Sequence, residues 1–90
     1  MTATAYIERL ILKKVRRGKE PSPLLVTQEI LDQFKLEMGR NPRAGNWTSG
    51  KHFAQVFIPA PLGGTMICHI LVKEWHEQLM AEKEARLKVQ

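Results

Sequence analysis

TMICHILV, residues 65–72, fits two incompatible structures, and the choice between them decides the fold. Read onward into KEWHEQL, residues 73–79, it places Ile67, Ile70, Leu71, Trp75 and Leu79 on one face of a long helix. Read backward, residues 66–72 pair with residues 53–58 as a hairpin, and the helix starts near Lys73. The run Met66–Val72 is apolar enough for either. The longer helix, residues 65–88, is the expectation here. Its tail carries two Glu-before-basic pairs one turn apart, Glu82–Arg86 and Glu84–Lys88.

Immediately before it, PAPLGG (59–64) turns the chain, and HFAQVFIP (52–59) reads as a short strand. It is aromatic and bounded by turn residues, although Gln55 is its only polar interruption. GRNPRAGNWTSGK, residues 39–51, is a loop with three glycines and a proline. Upstream, Thr27 caps a helix over roughly residues 28–38, with Ile30, Leu31, Phe34 and Met38 as its apolar stripe and Gly39 as its end. Val26 is placed to staple onto Leu31. Residues 18–26 (GKEPSPLLV) form a connector stiffened by Pro21 and Pro23.

AYIERLILKKVRR, residues 5–17, has a helical face of Ile7, Leu10 and Ile11, and Gly18 stands where a left-handed terminator belongs. A strand would break its alternation at Leu10-Ile11-Leu12, so helix is the expectation. The whole is read as one domain, residues 1–90: a small α+β fold with two to three helices, the longest C-terminal, and a β element around residues 52–58.

Charge is distributed unevenly. Residues 1–51 hold ten Lys/Arg against five Asp/Glu, and residues 52–90 hold four against four, for a net charge of +5. Arg9, Lys13, Lys14, Arg16, Arg17 and Lys19 fall in one stretch without an acid. A one-sided basic field attracts polyanions. The expected function is therefore non-catalytic nucleic-acid binding, with RNA or single strands slightly ahead of duplex DNA. Lys13, Lys14, Arg16, Arg17 and Lys19 would hold the phosphate backbone, with Arg40, Arg43 and Lys51 of the loop beside them. Trp47 has two readings, a stacking face for an unpaired base or a plug over a thin core.

The alternative is a small accessory or inhibitor protein, compact in the manner of phage proteins, whose basic half docks on an acidic protein surface. Its hydrophobic contact would come from Ile67, Leu71, Trp75 and Leu79 of the last helix, a stripe that would also serve a homodimer.

Other chemistries find little support. The phosphate-loop pattern needs a lysine after its second glycine, and Gly63-Gly64-Thr65 has none. His52, Cys68, His69 and His76 lack the close pairing of zinc ligands, so neither metal nor cofactor is expected. Neither Ser22 nor Ser49 sits in a glycine-flanked nucleophile turn, and no enzyme is expected. A single cysteine excludes an internal disulfide. MTATA at the start lacks the order of a secretory signal, and no apolar run reaches the ~18 residues that cross a bilayer. A cytoplasmic protein without a membrane partner is the expectation. No motif identifies a family.

Overall fold

A computed structural model describes residues 2–60 and 62–89, with side chains as far as Leu87. Met1, and Pro61 of the expected turn, lie outside the described residues. The order is α1 (Ala3–Arg16), β1 (Leu24–Val26), α2 (Gln28–Arg40), β2 (Trp47–Ser49), β3 (Phe53–Pro59), β4 (Thr65–Val72) and α3 (Lys73–Val89). The four strands form one mixed sheet in the order β1-β4-β3-β2, with α1 and α2 packed on one face. The chain is thus an α+β domain with three helices.

The helix expected from Thr65 starts instead at Lys73, and residues 65–72 are β4. Four β-branched residues, Thr65, Ile67, Ile70 and Val72, disfavour a helix over this run and favour a pleated surface. Seven residue pairs, from Phe53↔Leu71 to Pro59↔Thr65, join it antiparallel to β3. The ladder turns Cys68, Ile70 and Val72 toward the helices, where all three are buried. Thr65, Ile67, His69 and Leu71 alternate onto the other face.

Two further segments read as irregular also pair. In the connector, Leu24–Val26 forms β1, parallel to β4 at Leu24↔Ile70 and Val26↔Val72, with Leu24 and Val26 buried. In the loop, Trp47–Ser49 forms the edge strand β2 against Ala54–Val56. Neither three-residue strand has a pattern of its own; each exists because a longer strand offers it a ladder.

Both N-terminal helices form as expected: α1 starts two residues earlier and ends one earlier than read, and α2 runs two residues further. Thr2 caps α1, its hydroxyl accepting from the Ala5 N–H at 3.1 Å, and Thr27 caps α2 at Ile30 N–H in the same way. α1 closes on Gly18 at φ 69°, where the N–H groups of Gly18 and Lys19 donate to the carbonyls of Val15 and Lys14. Gly39 does not end α2: the helix runs through it to Arg40, and Asn41 follows in an extended conformation.

The core is a single cluster in which Ile7 of α1 and Leu31, Phe34 and Met38 of α2 meet Leu24, Ala54, Val56, Cys68 and Ile70 of the sheet. Glu37 locks α1 to α2. Its carboxylate accepts from the Thr4 hydroxyl at 2.7 Å and from the N–H groups of Thr4 and Ala3 at 2.8 and 3.1 Å. A carboxylate from one helix thereby satisfies the unpaired amides at the start of the other. The far sheet face, with Leu25, Phe57 and Ile67 exposed, carries no helix across its middle among the described residues. Trp75 of α3 covers only its end, stacked on Phe53 at 6.3 Å and beside His52 at 5.7 Å.

Candidate nucleic-acid interface

α1 buries Ile7 and half-buries Leu10 and Ile11, which fixes what the opposite side presents. Arg9, Lys13, Arg16 and Arg17 stand on that side at helical spacings of three, four and eight residues. They surround Leu12, itself 51% exposed, and with it line a shallow hollow of about 450 Å³. Among the described residues the ion pair found is Lys35–Asp32 at 3.7 Å, on α2, so no carboxylate neutralises this cluster. Like charges one turn apart cost roughly 0.2–0.5 kcal/mol per pair in an isolated helix. Lys13 and Arg16 recover part of that near the negative end of the helix dipole, but Arg9 lies too far from it.

The remaining expected contacts are dispersed. Lys14 points away from the hollow, its ammonium donating to the Pro23 carbonyl at 2.9 Å and the Pro21 carbonyl at 3.3 Å. It ties the connector to α1 and is spoken for. Lys19 is exposed in the turn after α1. Arg40, the last residue of α2, and Arg43, beyond it, are exposed, and Arg43 borders a cleft shared with Thr4, Glu8 and Ile11 of α1. Lys51 lies at the other end of α2, where its carbonyl accepts from Gln28. A helix of 13 residues, about 20 Å, separates it from Arg40. The glycine-rich loop is therefore not one basic patch.

Trp47 sits opposite Val56 on the helix-facing side, half-buried against the core. Its geometry is that of the plug. Ile67 and Leu71 lie on β4 and Trp75 and Leu79 on α3, so they do not form one helical stripe. Leu71 and Trp75 nevertheless come together through Phe53, which is opposite the first and stacked on the second. Sequence reasoning left Arg9 and Leu12 out of the site. The i, i+4, i+8 row Arg9–Lys13–Arg17 was the available signal for the arginine.

Two arrangements invite a catalytic reading and neither has the setting for it. Ser22 Oγ lies 3.2 Å from His69 Nδ1 and also accepts from the His69 N–H at 3.0 Å, which pins the connector along β4. Neither residue lines any of the hollows described here. Cys68 is fully buried, and desolvation pushes its thiol pKa up, against thiolate chemistry. Among the described residues no three His, Cys, Asp or Glu side chains are grouped to hold a metal ion, and no helix is long and apolar enough to cross a membrane. No protein-family model, curated protein or solved structure matches the chain.

Proposed function

We propose that this protein is a non-catalytic nucleic-acid-binding protein that holds the phosphate backbone on the exposed face of α1. The observation that supports it is the convergence of Arg9, Lys13, Arg16 and Arg17 around one hollow with no carboxylate paired to them. Bound phosphates would release their condensed counterions and relieve the mutual repulsion of these four groups. With Trp47 half-buried, the affinity in this reading comes from charge and not from stacking, so it tolerates any base sequence.

The test is fluorescence anisotropy of labelled single-stranded RNA, single-stranded DNA and duplex DNA across a salt series. Four phosphate contacts give a slope of log K against log salt of about −3.6 on duplex and about −2.8 on single strands. Replacing Arg16 and Arg17 by Ala lowers the slope by about two contacts' worth and weakens all sequences alike. An unchanged slope in that variant overturns the assignment.

A second reading, docking on an acidic protein surface, is favoured by Leu12. An apolar side chain at the centre of the basic patch continues into a groove of Ile11, Val15, Ile58, Pro59 and Met66, with Glu8 on its rim, about 340 Å³ in volume. Apolar centres with charged rims suit proteins better than phosphates. Under this reading Leu12→Ala abolishes the complex, whereas nucleic-acid binding barely notices it.

A further inference from the structure

This chain exposes more surface than a free monomer of its mass. A folded monomer of 10.3 kDa exposes about 5,400 Å², and this one exposes 6857 Å². Its radius of gyration is 14.6 Å, against about 12 Å for a compact chain of this length. The excess, about 1,500 Å², is more than the roughly 800 Å² one partner gives to a standard interface.

α3 accounts for the shape. Only its start is packed, through Trp75 on His52 and Phe53, and every residue from Glu77 to Leu87 is exposed. A stretch that short, with no packed side, is marginal in water by itself. It also displays Met80 and Leu87, the latter 70% exposed.

The charges on α3 favour one occupant. Lys73, Lys83, Arg86 and Lys88 balance Glu74, Glu77, Glu82 and Glu84, so neither a basic nor an acidic partner is preferred. The order is uneven: the first half carries Glu74 and Glu77 against Lys73, the second Lys83, Arg86 and Lys88 against Glu82 and Glu84. At about 100° per residue, His76, Glu77, Met80, Lys83, Glu84 and Leu87 share one side of the helix. Reversing that side about Met80 sets Glu77 opposite Lys83 and His76 opposite Glu84, and two-fold symmetry repeats both pairs. A parallel arrangement would oppose Glu77 to Glu77 and Lys83 to Lys83.

We propose that α3 is a homodimerisation helix, pairing antiparallel with α3 of a second copy so that the two Met80 side chains meet on the symmetry axis. Leu87 of each copy then reaches Lys73 of the other. The isologous pair covers the same exposed side of α3 on both chains at once. This inference stands apart from the phosphate reading, which uses α1 alone.

Sedimentation velocity on the full chain tests it, with far-UV circular dichroism to verify that each variant keeps its fold. The wild type sediments at twice 10.3 kDa in a concentration-dependent equilibrium. Glu77→Lys and Lys83→Glu each turn two attractive pairs into repulsive ones at exposed positions, and each weakens the dimer by about tenfold. The double variant E77K/K83E restores wild-type association. A wild type that stays monomeric up to its solubility limit overturns the proposal. So do single variants that dimerise like the wild type, or a double variant that stays weakened.

Discussion

α1 and α3 are both surface helices rich in charge, and the chain holds them by opposite means. α1 is fixed along its length: Glu37 caps its start, Ile7 sits in the core, Lys14 binds the connector and Gly18 closes its end. α3 is anchored at one end, by Trp75 on Phe53, and then leaves the domain. The difference matters for how each could recognise a partner. A rigid helix presents its cations in a fixed array, which suits a repeating phosphate backbone. A helix held at its root can still adjust to another helix, and gains stability from doing so.

The largest effect that separates the two comes from their apolar anchors. Ile7 is 1% exposed, and Ile7→Ala is expected to cost about 2–5 kcal/mol in urea unfolding, loosening α1 from the sheet. Leu79→Ala, in the exposed part of α3, is expected to cost about 0.5 kcal/mol or less at concentrations where the chain is monomeric. Equal losses at the two sites would erase the contrast.

A smaller effect, with a pH signature, is expected at Glu37. Hydrogen bonds from the Thr4 hydroxyl and N–H, then from Gln33 and the Ala3 N–H, hold its pKa at about 2, against an ordinary 4.5. Because the folded-state value is the lower one, the stabilisation is complete above pH 4.5 and is lost as pH falls toward about 2. Thermal melts of the wild type should drop through that window. Glu37→Gln should start from a lower melting temperature and vary less with acid, while helicity from α3 is unaffected.

A modest effect is expected at Lys14. Lys14→Met removes two hydrogen bonds to proline carbonyls and should cost about 1 kcal/mol, with a salt slope for nucleic acid close to wild type. A slope reduced as much as in Arg16→Ala would return Lys14 to the basic patch.

What the sequence made legible follows the same division. α1 could be read because its period and its terminating glycine agree, and α2 because its period agrees with the capping Thr27. β4 could not be settled because MICHILV satisfies both a helical and an extended period; its partner strand, 53–59, decides between them. β1 and β2 were hidden for a different reason. Three residues are too few to carry a pattern, and their conformation is imposed by neighbours distant in the chain. In the basic cluster, the α1 face was legible from spacing. That Lys14 would turn to Pro21 and Pro23 was not, since it depends on where the connector folds back.

The parallel pairing of β1 with β4 joins Leu24 to Ile70 across about half of the chain. Closing so long a loop costs about 3 kcal/mol in chain entropy, whereas the β3–β4 hairpin closes locally. The first forty residues thus carry two helices whose apolar sides have no sheet to cover until Val72 has been added. For a chain emerging in order from its N-terminus, the basic helix exists as a charged, sticky segment before it belongs to a domain. The growing chain is most vulnerable to aggregation, and most accessible to a chaperone, over that interval.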